Sequence, residues 1–126
     1  MLTLPPSVRI YLSAEPVDLR KSIDGLGALV RAQGTDLYSG ALFVFRGRRA
    51  DRVKVLVWDR GGFVLYYKRL EQGRFLWPLV GEQTQRVEMS AVQLCMLLDG
   101  LDVWQVKLPS RWEPRAHTAV DKGKKM

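Results

Sequence analysis

The sequence predicts an α+β protein, an antiparallel sheet of about four to five strands with two helices on one side of it. The middle of the chain, residues 42–69, alternates short apolar segments with glycine-containing turns, which is typical of an antiparallel meander. Two other segments, about 18–33 and 90–99, carry apolar residues at helical spacing. The 126 residues, 47% of them hydrophobic, are enough to form one hydrophobic core.

The first strand and the first helix follow from the N-terminal third. Val8–Leu12 alternates and is rich in β-forming residues, so it predicts a strand. Asp18 is a good N-cap for the helix that follows. The helical spacing is carried by four apolar residues: Leu19, Ile23, Leu26 and Val30. Gly25 and Gly27 each cost roughly 1 kcal/mol relative to alanine, so we expect close packing of this helix on the sheet.

The central meander has the clearest local signal in its second turn. Asp59–Gly62 predicts a tight turn between a strand over 53–58 and a strand over 63–69. If Trp58 pairs with Phe63, the alternation of side chains fixes the rest of the register. The pairs on that face are then Leu56–Leu65, Lys54–Tyr67 and Arg52–Arg69. The opposite face is apolar near the turn as well.

The C-terminal third predicts a second helix between short strands. Residues 74–77 favour a short strand that ends at a proline, and 87–89 favour an edge segment. Ser90 and Gln93 have the spacing of a capping box at the start of the second helix. The helix is expected to end at Asp99, before a glycine.

The composition changes near the C-terminus, which predicts a boundary between a domain and a tail. Alternating Trp104, Val106 and Leu108 weakly indicate a final strand. From about Glu113 the chain is polar and basic, which is typical of a frayed terminus. We therefore predict a single domain over 1–112 and a flexible basic tail over 113–126.

Cysteine and histidine usage excludes several classes of protein. One cysteine, Cys95, excludes a disulfide within the chain, and one histidine, His117, is too few for a zinc finger. We expect Cys95 to be buried on the apolar face of the second helix. The chain has no apolar run long enough to span a membrane, and its start lacks the features of a signal peptide. These observations predict a cytoplasmic protein that binds no cofactor and no metal and does not associate with a membrane.

The charge is concentrated in the middle of the chain. The formal net charge is +7, and residues 20–75 hold twelve bases against five acids. A localised excess of this kind indicates a surface that faces a polyanion, most often nucleic acid. The alternative is a charge that only keeps the protein dispersed.

We predict a nucleic-acid site on the loop and strands at the basic end of the meander. Cations there would hold phosphates, and a ring would stack on a base. The predicted site residues are Arg46, Arg48, Arg49, Arg52, Lys54, Tyr67, Lys68 and Arg69. The alternative is a sheet covered on both faces, with the aromatic residues in the core.

A secondary anion site is predicted at Arg20 and Lys21. Cations in the first turn of a helix oppose the helix dipole, and a bound phosphate would reverse this penalty. The alternative is local compensation by neighbouring carboxylates: Glu15, Asp18 and Asp24.

Catalysis is not predicted. The carboxylates that a metal-dependent nuclease would need are present, but they lack a recognised spacing: Asp18, Asp24, Asp51, Asp59 and Glu71. The chain has no phosphate-binding loop, no nucleophile elbow and no zinc-protease motif. We therefore expect a protein that is not an enzyme, and a metal-dependent nuclease stays as a third alternative.

Several sequence blocks in a fixed order point to a known family. They are DLRKSIDGL at 18–26, SGALFVFRGRR at 39–49, WDRGGF at 58–63, YKRLEQGRF at 67–75 with Trp77-Pro78, and LCMLLDG at 94–100. Together they resemble the TnpB accessory protein of the insertion sequence 66 family of bacterial transposable elements. The resemblance runs from about Val8 to Leu101. It implies a role in transposition, beside a separate and larger transposase that carries the strand-transfer carboxylates.

The resemblance and the residues together favour one function and leave a second one open. The first is a non-catalytic accessory protein of insertion-sequence transposition that binds nucleic acid through the basic loop and the sheet edge; DNA is the expected ligand, and the sequence leaves RNA open. The second is a protein-protein adaptor that docks the element-encoded transposase or a second copy of the chain. In that case the apolar sheet face and the Leu94 and Leu98 side of the second helix would form the interface.

Overall fold

The computed structural model describes residues 7–81 and 83–104, which form five strands and two helices. In chain order these are β1 (Ile10–Ser13), α1 (Ile23–Ala32), β2 (Leu42–Arg46), β3 (Arg52–Asp59), β4 (Gly62–Arg69), β5 (Arg86–Met89) and α2 (Ala91–Leu98). The predicted α+β class is confirmed. Neither helix of this part of the chain is long and apolar enough to cross a membrane.

The five strands form one sheet in the order β4-β3-β2-β1-β5. Three of its four neighbouring pairs are antiparallel, but β1 and β2 run parallel, with Ile10 opposite Leu42. The prediction of an antiparallel sheet is therefore wrong for the β1–β2 pair and right for the other three pairs. The reason is the connection: α1 lies between the two strands and carries the chain back to the end from which β1 started, so β2 runs in the same direction as β1.

The helices lie on opposite faces of the sheet, which corrects the prediction that both lie on one side. Leu42 and Val44 of β2 belong to the core beneath α2, whereas Phe43 and Phe45 belong to the core beneath α1. All four side chains are buried. A strand that is apolar on both faces needs a cover on each of them, and one helix supplies each cover.

The register of the β3–β4 hairpin is confirmed in full, from Trp58 opposite Phe63 to Arg52 opposite Arg69. In the connecting turn, Arg60 and Gly61 have φ values of 45° and 88°. Two successive residues with positive φ form the type of two-residue turn whose twist matches that of the paired strands.

The first helix starts later than predicted. Its N-cap is Ser22 rather than Asp18, which lies in a turn where Lys21 N–H donates to the Asp18 carbonyl oxygen over 3.1 Å. Gly27 does pack closely, but on a loop side chain and not on a strand. A Cβ at Gly27 would lie 2.9 Å from Leu37 Cδ2.

The second helix follows the prediction closely. Ser90 is its N-cap, and the reciprocal bonds with Gln93 form the expected capping box. The predicted edge segment at 87–89 is confirmed as part of β5. Cys95, however, is exposed. The helix turns Leu94, Leu97 and Leu98 toward the sheet, and the side chain of Cys95 lies beside that apolar stripe.

The segment 74–77 is not a strand, which corrects another prediction. Two of its aromatic residues pack against the core beneath α2 instead. Phe75 is buried beneath α2, and the indole nitrogen of Trp77 donates to the carbonyl oxygen of Ser13 over 2.8 Å. Trp104 lies in a turn. The other two residues of the predicted last strand, and the predicted tail, lie outside the described residues.

Candidate nucleic-acid interface

A cleft of about 610 Å³ opens between the chain that follows β1 and the turn that connects β2 to β3. Its lining comprises one short segment from each side: Pro16, Val17, Asp18, Leu19 and Arg20, and Gly47, Arg48, Arg49, Asp51 and Arg52. The cleft therefore joins Arg20 of the predicted secondary anion site to three arginines of the predicted main site.

The parallel pairing of β1 and β2 explains why these two segments meet. Neighbouring parallel strands place their carboxyl ends at the same edge of a sheet, and the segments that leave those ends form a crevice there. Val17 N–H donates to the carbonyl oxygen of Arg46 over 2.9 Å. A Cβ at Gly47 would lie 3.4 Å from Leu19 Cδ1, so the two walls are in contact at the base of the cleft.

The turn that carries Arg48 and Arg49 is fixed from behind. Ala50 N–H closes the turn onto the Gly47 carbonyl oxygen over 3.0 Å, with Ala50 at a φ of 60°. The Ala50 carbonyl oxygen then accepts from Phe75 N–H over 2.6 Å. Because the ring of Phe75 is only 1% exposed, this bond ties the basic turn to the core.

One arginine of the cleft is already neutralised. Arg20 donates to both carboxylate oxygens of Asp18, from Nε over 3.0 and 3.2 Å and from Nη2 over 2.8 Å. These bonds, with a further one from the Arg20 backbone N–H, hold the pKa of Asp18 well below its usual value. The alternative considered for the secondary anion site, compensation of its positive charge by a neighbouring carboxylate, is therefore present for Arg20, through Asp18.

The other three arginines of the cleft have no such partner among residues 7–81 and 83–104. Arg48, Arg49 and Arg52 are exposed, and within the described residues no carboxylate forms an ion pair with them. Asp51 also lines the cleft and lies between two of them in sequence. Three guanidinium groups thus face solvent on one concave surface.

The basic surface continues from Arg52 onto the α1 face of the hairpin. Lys54 Nζ lies 5.3 Å from the ring centroid of Tyr67 and donates to the carbonyl oxygen of Lys21 over 3.0 Å. Arg69, directly opposite Arg52, forms an ion pair with Glu71 at 3.0 Å. Glu71 thereby supplies the negative charge that two opposed arginines require.

Two predicted site residues lie on the other face of the sheet. Lys68 Nζ donates to the carbonyl oxygen of Leu98 over 2.6 Å, at the C-terminus of α2, where a cation is favoured by the helix dipole. The guanidinium of Arg46 lies 5.6 Å from the ring of Trp77, and its buried Nε has no hydrogen-bond partner in the described part of the chain. Burial lowers the pKa of Arg46, against the opposing charge of Glu15. Neither residue lines the cleft.

A second concave surface is apolar and lies beside α2. It has a volume of about 340 Å³. The residues that line it come from the helix and from the α2 face of the sheet: Leu42, Val55, Tyr66, Ala91, Val92, Leu94, Cys95, Met96, Leu98 and Asp99. Val92 is 63% exposed at its rim. This groove lies where an adaptor interface was predicted.

Two of the five carboxylates considered for catalysis, Asp18 and Asp51, line the cleft, but they are not joined there by a third. Within the described residues, no group of three or more histidine, cysteine, aspartate and glutamate side chains could hold a metal ion. Asp18 is occupied by Arg20, and Glu71 by Arg69. Asp59 lies at the other end of β3 from the cleft.

Comparison with known proteins places the chain among insertion-sequence proteins. A family model described as IS66 Orf2 like protein matches residues 8–108. The uncharacterized protein y4jC of Sinorhizobium fredii (strain NBRC 101917 / NGR234) is 41% identical over 101 residues, which cover 79% of this chain and 85% of that protein. The uncharacterized protein y4hO of the same strain is 35% identical over 103 residues, which cover 81% of this chain and 88% of that protein. No solved structure matches the chain.

Proposed function

The chain belongs to the IS66 Orf2-like family, an insertion-sequence-associated accessory family. From this premise we propose that it binds nucleic acid through the cleft, and that the nucleic acid is DNA. In this function the protein is non-catalytic. It would hold a DNA strand while the separate transposase performs strand transfer.

One observation carries the proposal: the cleft at the carboxyl ends of β1 and β2 presents three exposed arginines that lack a carboxylate partner among the described residues. Guanidinium groups match the geometry of phosphate oxygens and can bind them through two parallel hydrogen bonds. The fixed backbone of the turn supports this use, because little ordering of Arg48 and Arg49 main chain would be needed when a phosphate binds.

The test is a pair of double variants with equal charge change. Arg48→Ala/Arg49→Ala removes two cations of the cleft, and Arg31→Ala/Arg60→Ala removes two exposed cations that do not line it. Binding is followed by fluorescence anisotropy over a salt series, with the terminal inverted repeat of the element and a scrambled sequence, each as a duplex and as a single strand.

We expect salt-dependent binding that weakens in the cleft variant only. Loss of two phosphate contacts reduces the slope of log K against log salt by about 1.4 on a single strand and about 1.8 on a duplex. The control double variant should retain the slope of the wild-type protein. A slope near zero for the wild-type protein, or an equal loss in both variants, would show that the cleft is not a phosphate site.

The apolar groove beside α2 favours a second candidate function, an adaptor that docks the element-encoded transposase or a second copy. Val92 is exposed at its rim, and Leu101, just after the helix, is 49% exposed. An interface at the groove would remove Val92 from water, and one that extends past the end of the helix would also cover Leu101. Co-purification with the transposase, and light scattering of the isolated chain, test this candidate. Val92→Glu should abolish whichever association is found, and retention of the complex by that variant would exclude the groove.

A further inference from the structure

We propose that the cleft takes single-stranded DNA in preference to duplex DNA, with the ring of Tyr67 stacking on a base next to the phosphates that the cleft holds. This inference rests on the proposed function, and it adds the form of nucleic acid and the side chain that contacts a base.

The size of the cleft favours a single strand. Its volume of about 610 Å³ falls in the range of roughly 300–1,000 Å³ that is typical of small-molecule sites. Such a space accommodates a few nucleotides of one strand. A duplex is a convex cylinder that proteins read by inserting a helix or a β-ribbon into a groove. Here the arginines line a concave surface between two short segments, and in the part of the chain that the structure describes no helix projects from it.

The position of Tyr67 supplies a stacking partner. Its ring is 49% exposed and lies on β4, which is an edge strand of the sheet, so no strand of the described residues lies on its outer side. Lys54, directly opposite Tyr67, is two residues from Arg52 of the cleft wall. That separation is about 7 Å along a strand. A base on the ring would therefore be adjacent to a phosphate at Arg52.

The charges around the ring fit the same ligand. Lys54 Nζ lies 5.3 Å from the Tyr67 centroid, and the cross-strand Arg52–Arg69 pair is the next step toward the cleft. Exposed rings beside cations are the usual platform for unpaired bases, because each base presents a π-face and each nucleotide a phosphate. In a duplex the base faces are stacked on each other and cannot reach such a ring.

A second exposed ring on this face provides an internal comparison. Tyr38 is 56% exposed, but it packs against Trp58 and Phe63 with ring centroids 5.0 and 5.6 Å apart. Trp58 is six residues from Arg52 along β3, a distance of about 20 Å. Tyr38 is thus a ring of similar exposure that lies far from the cleft, which makes it a matched control.

The experiment measures affinity for a 15-nucleotide single strand and for the same sequence as a duplex, at one salt concentration, by fluorescence anisotropy. We expect the wild-type protein to bind the single strand at least about 10-fold more tightly. Tyr67→Leu should weaken single-strand binding by about 5- to 150-fold, the value of one stacked base, and leave duplex binding unchanged. Tyr67→Phe, which keeps the ring, and Tyr38→Leu should bind as the wild type does.

The outcomes separate this inference from the proposed function. Equal affinity of the wild-type protein for single strand and duplex overturns the inference, whatever the variants do, and leaves the cleft as a phosphate site. Equal weakening by Tyr67→Leu and Tyr38→Leu overturns the assignment of the ring. Absence of binding to both probes overturns the proposed function itself.

Discussion

The ion pair between Asp18 and Arg20 limits the number of cations that the cleft offers to a phosphate, and its removal should strengthen binding. In Asp18→Asn the amide accepts a hydrogen bond but no longer neutralises the guanidinium of Arg20. The cleft loses one negative charge and gains one available cation. Because the pKa of Asp18 lies well below its usual value, the carboxylate stays ionised throughout the neutral range, and the substitution is needed to remove its charge.

The size of the effect follows from the number of unpaired arginines. In the wild-type cleft Arg48, Arg49 and Arg52 are available, and with Arg20 released the number becomes four. At about 0.7 per phosphate on a single strand, the slope of log K against log salt should change from about −2.1 to about −2.8. A fourfold increase in salt should then weaken the wild-type complex by about 18-fold and the Asn variant by about 48-fold.

The assay is a salt series with a labelled single strand, and the matched control is Asp36→Asn. Asp36 accepts a hydrogen bond from Tyr38 N–H, which an amide oxygen can also accept, and it does not line the cleft. The unfolding midpoint should not change, since the side chains of Arg20 and Asp18 are 91% and 45% exposed. Weaker binding by Asp18→Asn, or an equal steepening in the control, would refute the assignment of Arg20 to the phosphate path.

Two further predictions concern stability. Phe75→Ala should lower the free energy of unfolding by about 3–5 kcal/mol in urea titrations, because it empties a fully packed site in the core beneath α2; a change below about 1 kcal/mol would mean that the segment is not anchored there. Ser90→Ala should cost about 1 kcal/mol through loss of the capping box, whereas Ser90→Asp should stay close to wild type. Equal losses in the two Ser90 variants would show that the cap is not the cause.

The local features of this fold could be predicted from the sequence. The β3–β4 register followed from one turn at Asp59–Gly62, because side chains alternate strictly along two strands joined by so short a connection. The start of α2 followed from the spacing of Ser90 and Gln93. In both cases the determining contacts lie within a few residues of each other along the chain.

The features that depend on distant segments were not predictable in the same way. The parallel pairing of β1 with β2, and the placement of the helices on opposite faces, are decided by tertiary packing. The strand–helix–strand order was a usable signal for the parallel pair. Asp18 and Ser22 are both good capping residues, and in the structure Ser22 is the N-cap while Asp18 pairs with Arg20 in the turn before the helix.

The candidate site was predicted as two separate parts, the main site and the secondary anion site. The sequence did not show that they share one cleft, because that also depends on the packing of distant segments. The loop arginines and Arg20 are separate in sequence and become neighbours only when β1 and β2 end at one edge. Arg46 and Lys68 were included because of their charge, although alternation along the strands places both on the α2 face. The register predicted from the Asp59–Gly62 turn already puts Lys68 on the face opposite Lys54 and Tyr67, but which helix covers that face required the structure.

The place of β1 between β2 and β5 has a consequence for how the chain folds as it is made. β1 is an early segment, yet its antiparallel neighbour β5 is synthesised after the other four strands of the described residues, and the contact between Ile10 and Met89 spans 79 positions. The β3–β4 hairpin closes over a two-residue turn and can form at once. A nascent chain that has not yet reached Arg86 therefore exposes one whole edge of β1, and that edge is paired only when β5 has been synthesised.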